Sequence, residues 1–256
     1  MKQLLSLVLA CIACVAGAQT NARHYTDSMR VAVTQAKEDS VKVALLLEVG
    51  RELMETNPDE TIKYARQAID LATELKDKKD VAVAYRLLGN TYSYKNSNNK
   101  ALKNYRLALQ INREIGDAQN EGISLFDIGT VYHKVNYYNK ALKNFEQSKI
   151  ILEKADYPLP LANTISWIGW VHIKKMEYST ALSYYTQALD IYKTTDCKSG
   201  IATTCNQLSW LYFQKSDYDK AEANALLALA SAHDAKYKPG IKEANEMLHQ
   251  IRAIKK

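Results

Sequence analysis

Four of the nine glycines in this chain recur at an almost constant interval, and this regularity limits what the chain can fold into. They are Gly50, Gly89, Gly129 and Gly169, and one further step of 40 residues reaches Ser209. Self-similarity at a period of roughly 20–50 residues is typical of arrays in which each repeat is one supersecondary unit. The spacing therefore predicts a stack of five similar units rather than one or two globular domains.

Each of these five anchors lies in a pattern typical of a helical hairpin. Apolar residues four before, one before and in most units three after the anchor follow the helical period of about 3.6 residues. A polar break such as Asn96-Ser97-Asn98 then supplies a turn and an N-cap for a second helix. Small residues in that helix would let two antiparallel helices approach closely. These small residues, twelve positions after the last four anchors, are Ala101, Ala141, Ala181 and Ala221.

The unit from Ala162 to Lys193 resembles the tetratricopeptide repeat (TPR) family. The matching residues are Ile165, Ile168, Gly169, His172, Tyr178, Ala181, Tyr185 and Ala188. His172 stands where the family usually has Tyr, and the 40-residue spacing exceeds the family's standard of about 34 residues. The resemblance implies an all-α fold: a right-handed α-solenoid of helix-turn-helix units with capping helices at both ends. It also implies a long-repeat, exported bacterial member of the family.

The predicted organisation has a signal peptide at residues 1–18 and a TPR solenoid over 19–256. The units are expected at about 43–80, 82–119, 122–159, 162–199 and 202–238, followed by a C-terminal capping helix at 240–254. An amphipathic helix over 23–39 is expected before the first unit, and Gly200 and Gly240 are predicted to mark turns between units.

The first residues carry the pattern of a secretory signal peptide. Lys2 is followed by the apolar stretch Leu4–Ala16, which is shorter than the roughly 20 residues that span a bilayer, and by Ala16-Gly17-Ala18 as cleavage site. The mature chain is therefore expected to be exported, periplasmic or extracellular, without a membrane span. A lipid anchor at Cys11 or Cys14 is the alternative.

The TPR resemblance also places the candidate partner-binding residues. In that family the first helix of each unit faces a concave groove at positions three before, one after and about four after the anchor. The groove candidates are Arg51, Arg86, Asn90, Phe126, Thr130, His133, Trp170, Asn206, Trp210 and Phe213. Basic and amide side chains suit a carboxylate or carbonyl, while aromatic residues carry much of the binding energy at interfaces. A protein or peptide ligand is predicted.

Two alternatives stay open within this groove. Trp170 and Trp210 could instead fill the space between adjacent first helices. Arg86 and Asn90 resemble the Lys/Asn pair of carboxylate-clamping TPR proteins, although the following units lack the further basic residues that such a clamp needs.

The remaining polar clusters are interpreted as surface features. Glu243, Glu246 and His249 have a Glu-x-x-His spacing, but matching ligands on other helices are not evident, so no metal and no cofactor are predicted. A row of lysines is interpreted as a solvated edge, or alternatively as a docking strip for an acidic partner or a membrane surface. These lysines are Lys100, Lys140 and Lys220.

The function predicted from the sequence is a non-catalytic interaction scaffold of the cell envelope. The formal charge of +6 without any block of five like charges argues against nucleic acid as a partner. No arrangement of catalytic residues is recognisable, so an enzyme is not expected. The alternative is an input module of an envelope signalling system, because Leu46–Arg51 and Glu114–Asp117 resemble sensor regions of bacterial regulators. Cys197 and Cys205 are predicted to be free thiols or to pair.

Overall fold

The structure of the chain, a computed structural model, describes residues 21–255, so the predicted signal peptide lies outside the described residues. Over that range the chain forms twelve α-helices and no strand. The helices are α1 (Asn21–Gln35), α2 (Ser40–Leu53), α3 (Pro58–Glu74), α4 (Lys78–Tyr94), α5 (Asn98–Ile115), α6 (Ala118–Lys134), α7 (Tyr138–Lys154), α8 (Pro158–Lys174), α9 (Tyr178–Thr194), α10 (Lys198–Gln214), α11 (Tyr218–Asp234) and α12 (Lys238–Ile254). The predicted all-α class is confirmed.

A residue in the left-handed backbone region ends each helix from α3 to α11. These residues recur every 20 positions and are Lys76, Asn96, Gly116, Asn136, Asp156, Met176, Asp196, Ser216 and Lys236. The next N–H then bonds to the carbonyl five residues back, as Ser97 does to Tyr92 at 2.8 Å. This is a Schellman motif, which stops a helix and satisfies its last carbonyls. Two helix-and-turn segments of this kind make one 40-residue step.

The prediction that Gly200 and Gly240 mark turns is wrong. Both lie in the first turn of a helix, Gly200 in α10 and Gly240 in α12. A Cβ at Gly200 would lie 2.3 Å from the ring of Tyr192, and one at Gly240 would lie 2.5 Å from the ring of Tyr237. At both positions an aromatic ring packs against the glycine and leaves no room for a larger side chain. The turns form just before these glycines, at the left-handed residues.

The described residues form two compact units, and the division between the units falls between Ser124 and Leu125. In the first unit, α1 buries Met29 and Val33 against a core that includes Leu46 and Leu87. In the second unit, consecutive helices from α8 to α12 pack around a core that includes Tyr185, Leu208 and Leu211. Consecutive antiparallel helices that pack in sequence are typical of TPR-like solenoids.

Three of the glycine anchors, Gly89, Gly129 and Gly169, lie where the first helix of a hairpin meets an aromatic ring of the second, whereas a Cβ at Gly50 would lie 2.9 Å from the side chain of Leu87. A Cβ at Gly89 would lie 2.4 Å from the ring of Tyr105, and one at Gly129 would lie 2.6 Å from the ring of Phe145. In the fifth unit the residue 40 positions after Tyr185 is the small, buried Ala225, and the hydroxyl of the anchor Ser209 donates to the Ala221 carbonyl at 2.7 Å. The side chain at the anchor therefore varies with the partner that faces it.

Candidate functional site

In the second unit, three helices enclose a pocket of about 390 Å³. Helices α8, α10 and α12 supply its walls. The lining residues are Trp170, Ile173, Lys174, Asn206, Gln207, Trp210, Glu243, Glu246, Met247 and Gln250. The structure therefore brings three of the predicted groove residues together, Trp170, Asn206 and Trp210. A pocket of this size is within the range of small-ligand and side-chain sites, about 300–1,000 Å³.

The two tryptophans of the pocket, Trp170 and Trp210, are half-buried and pack against the core of the second unit. The Lys174 Nζ lies 4.7 Å from the centroid of the Trp170 ring, a cation–π contact. Trp210 meets the ring of Tyr178 edge to face, with the centroids 5.8 Å apart. Each tryptophan therefore both fills space between helices and lines the pocket.

Asn206 is the buried polar residue of the pocket, with a relative exposure of 7%. Its Nδ2 donates to the Gly240 carbonyl at 3.1 Å and to a carboxylate oxygen of Glu243 at 3.2 Å. Both partners are acceptors, so they fix which end of the amide carries the nitrogen. The other end, Oδ1, is enclosed and meets no hydrogen-bond donor among the described residues. A buried acceptor without a donor is costly, so the Asn206 amide is a strained polar group in the wall of the pocket.

The acidic wall of the pocket comes from α12, which carries Glu243 and Glu246. Both residues are exposed, as expected for surface charge, and they also line the same pocket as the tryptophans. The repeat itself holds the signal that would have found Glu246. One further 40-residue step from Ser209 reaches His249, and the groove positions three before and one after it are Glu246 and Gln250.

Metal binding receives no support at these residues. Within the described part of the chain, no group of three or more His, Cys, Asp or Glu side chains could hold a metal ion. His249 is exposed and is not among the lining residues of the pocket.

A separate aromatic cluster holds two other predicted groove residues, Phe126 and His133. Trp167 lies 6.2 Å from the Phe126 ring and 5.2 Å from the His133 ring, between centroids. The pKa of His133 is lowered, mainly because burial disfavours the charged ring and secondly because Lys174 is near. Phe126 also packs against Phe145, at 5.6 Å between centroids. Trp167 is thus the tryptophan that fills the space between the first helices α6 and α8.

The other predicted groove residues have contacts of their own. Thr130 donates its hydroxyl to the Asp127 carbonyl at 2.7 Å. Phe213 packs edge to face against Tyr218, 5.6 Å between centroids, and does not line the pocket.

In the first unit, Arg51 forms an ion pair with Glu48 at 2.7 Å. Asn90 accepts a hydrogen bond from the Tyr105 hydroxyl at 2.7 Å, and Arg86 is half-buried on α4. The bond from Tyr105 occupies the Asn90 oxygen, and because a carboxylate only accepts hydrogen bonds, the donors of a carboxylate clamp here would be the Asn90 amide nitrogen and the Arg86 guanidinium.

The lysine row has intramolecular partners that the sequence interpretation did not foresee. The Nζ atoms of Lys100, Lys140 and Lys220 lie 5.4, 5.6 and 5.5 Å from the ring centroids of Tyr92, Tyr132 and Tyr212. In the fourth unit both positions change together, to Thr180 and His172. There His172 contacts the carboxylate of Glu177 instead. The row is therefore a repeated cation–π pair.

The two cysteines of the described chain are both free thiols. Burial raises the pKa of Cys205 to about 11, while Cys197 is partly exposed. Among the described residues, none of the helices combines the length and apolar character needed to cross a membrane.

The packing of consecutive helices and the recurring anchors define a TPR-like helical repeat protein. A family model described as soluble NSF attachment protein, SNAP, matches residues 79–243. This match covers well over half of the chain, so the chain belongs to the SNAP family. No curated protein matches the chain.

Solved structures with a similar fold extend over nearly all of the chain. BtubC (BKLC) from P. vanneervenii has a TM-score of 0.68 at 18% identity, with 91% of this chain and 92% of that chain covered. A Rap protein complexed with Competence and Sporulation Factor has a TM-score of 0.66 at 15% identity, with 92% and 71% covered. NprR in complex with its cognate peptide NprX has a TM-score of 0.63 at 18% identity, with 91% and 65% covered. At these identities the likeness shows the fold alone.

Proposed function

We propose that this protein is a non-catalytic scaffold that binds a peptide, or an extended segment of a protein, in the pocket of its second unit. The observation that carries the proposal is the convergence of Trp170, Trp210 and Asn206 on one open pocket. Aromatic anchors beside a buried polar group provide most of the binding energy in typical interfaces. NprR, which shares the fold, was solved with a peptide bound, and this supports the choice of ligand.

The setting that we propose is the cell envelope of a bacterium. Residues 1–18 would be removed as a signal peptide, and the mature chain would begin at Gln19. We further propose that residues 19–256 form one array of five long TPR units with caps, as the repeat spacing predicts. In this setting the scaffold would assemble envelope proteins by holding one of their segments.

The second candidate function is an input module that reports the presence of a peptide to a signalling partner. The similarity in fold to NprR, described as a quorum sensor from B. thuringiensis, favours this candidate. The two candidates share the pocket and differ in the effect that peptide binding has on a second protein. A sensor would change its affinity for that protein when the peptide binds, whereas a scaffold would hold both at unchanged affinity.

A peptide-selection experiment tests the proposed function. Purified residues 19–256 select binders from a phage-displayed random hexapeptide library, and each selected peptide is then titrated against three variants. Trp170→Ala and Trp210→Ala should each weaken binding by about tenfold or more, because each removes an aromatic wall. Leu226→Ala is the matched control, since Leu226 is an exposed apolar residue on α11 outside the pocket.

Circular dichroism confirms that each variant keeps its helical content. If the selected peptides bind the tryptophan variants and the Leu226→Ala variant equally well, or if the library yields no binder, the proposal is wrong.

A further inference from the structure

We propose that the pocket of the second unit selects a basic side chain, arginine before lysine, from the segment that it binds. This inference rests on the proposed function and adds the chemistry that the ligand must carry.

The charged groups that line the pocket are mostly acidic. Glu243 and Glu246 are the acidic residues of the lining, and Lys174 is its basic residue, so carboxylates outnumber cations by two to one. Lys174 is already engaged, with its Nζ 4.7 Å from the centroid of the Trp170 ring. The lining therefore has an excess of negative charge. This excess favours a cationic side chain on the ligand and disfavours an acidic one.

Asn206 adds a neutral acceptor at the base of this acidic wall. Its Nδ2 is held by the Gly240 carbonyl and by Glu243, which leaves Oδ1 enclosed and without a donor among the described residues. A guanidinium carries five N–H donors in a planar fork, so it can bond two carboxylate oxygens of the acidic wall at once. The ammonium of lysine concentrates its donors at one point, so it would reach fewer of these acceptors at the same time. We therefore expect arginine to be preferred over lysine.

The aromatic wall fits the same ligand. The face of an indole attracts a cation that lies within about 6 Å of its centroid. Lys174 demonstrates this attraction inside the protein, because its ammonium lies over Trp170. Trp210 lines the pocket from the next helix and is held edge to face by Tyr178. A planar guanidinium stacked between the aromatic wall and the acidic wall would use both.

The other charges near the pocket do not reverse this preference. Lys242 lies 3.8 Å from Glu246, and both side chains are more than half exposed, so the pair is weak. Helix α10 contributes only uncharged residues to the lining, namely Asn206, Gln207 and Trp210.

The test compares two hexapeptide libraries that differ at one fixed position. One library carries arginine and the other carries citrulline, which keeps the shape of the side chain but lacks the charge. Binding to residues 19–256 is measured by the fluorescence anisotropy of dye-labelled peptides, a readout that does not depend on the tryptophans of the pocket. We expect the arginine library to bind about tenfold more tightly than the citrulline library, which is one unit in log Kd. A third library with lysine should fall between the two.

The acidic wall is then removed with the double variant Glu243→Gln plus Glu246→Gln. The preference for arginine should fall to within about twofold, while binding of the citrulline library stays as it was, because only the charge term is lost. Glu146→Gln is the matched control, since Glu146 is exposed on α7 in the same unit and outside the pocket. It should retain the full preference.

The outcomes separate this inference from the proposed function. Equal binding of the arginine and citrulline libraries, lost in Trp170→Ala plus Trp210→Ala, would overturn the inference and leave the proposed function standing. A preference for arginine that survives the double glutamate variant would also overturn it, since the basic side chain would then bind elsewhere. Absence of binding by every library would contradict the proposed function itself.

Discussion

The packing at the glycine anchors predicts opposite results for the same substitution in two neighbouring units. In Gly129→Ala the new Cβ would lie 2.6 Å from two atoms of the Phe145 ring, and that ring is fully buried. In Gly169→Ala the Cβ would lie 3.2–3.3 Å from the Tyr185 ring, a distance that a shift of a few tenths of an ångström relieves. The two substitutions are otherwise alike, because both glycines are buried inside a first helix.

The magnitudes depend on two opposing terms. Alanine stabilises a helix interior relative to glycine by about 0.8–1 kcal/mol. Overpacking a core costs about 1–3 kcal/mol and sometimes more, depending on how far the neighbour can move. For Gly129→Ala the steric term is at the upper end, so we expect a net loss of about 1–2 kcal/mol. For Gly169→Ala the terms nearly cancel, and we expect a change between zero and a gain of about 0.5 kcal/mol.

Urea and thermal unfolding of the two variants measure this difference. For a chain of about 150–250 residues, 1 kcal/mol corresponds to a shift of about 2–4 °C in Tm. The double variant Gly129→Ala plus Phe145→Leu provides the control, because a smaller side chain at Phe145 should recover part of the loss and make the two changes non-additive. Equal effects of Gly129→Ala and Gly169→Ala, or full additivity with Phe145→Leu, would refute the packing argument.

Other positions give three more predictions. Because burial lowers the pKa of His133, the unfolded chain binds a proton there more readily, and stability should fall as the pH drops below about 6.5. Urea unfolding at about pH 7.5 and about pH 5.5 should show a smaller pH effect in His133→Gln than in the unsubstituted chain, and an unchanged effect would contradict the assignment. A disulfide-exchange reagent at about pH 8 should label Cys197 quickly and Cys205 only on unfolding, since burial raises the pKa of Cys205 to about 11; equal rates would count against this. Met176 has φ 63° and is exposed, so Met176→Gly should relieve the left-handed backbone and raise the free energy of unfolding by about 0.5–1 kcal/mol. A lower free energy of unfolding would show that the methionine side chain stabilises the fold by more than its left-handed backbone destabilises it.

The helical repeat could be predicted from the sequence because its signal is the regular spacing of residues. Such a spacing can be recognised without knowledge of any contact. Each anchor glycine lets two helices approach closely. Because every unit has the same requirement for a small residue, the glycines recur at a regular interval. The turns were harder to place, because the left-handed residues are mostly Lys, Asn, Asp, Ser and Met rather than glycine. A Schellman turn is recognised from sequence mainly by its glycine, which here stands only at Gly116 among the nine positions.

The candidate site was predicted in part for a related reason. Trp170 and Trp210 were found because the anchors fix the groove register. Glu246 was missed because the register was not carried past Ser209, and Glu243 lies outside the register positions. The packing of Trp167 between helices was not predicted, because it depends on which ring reaches Phe126 and His133. Such contacts between residues about 40 positions apart depend on the packing and not on a local pattern.

The signals of the three indole N–H groups in an NMR spectrum report directly on whether a peptide occupies the pocket of the second unit. The chain has three tryptophans, and two of them, Trp170 and Trp210, line that pocket. Trp167 lies in the aromatic cluster of α6 and α8 and serves as an internal reference. On titration with a selected peptide, we expect the Trp170 and Trp210 signals to shift and the Trp167 signal to stay in place. A shift of Trp167 alone, or no shift of any indole at saturating peptide, would contradict peptide binding at this pocket.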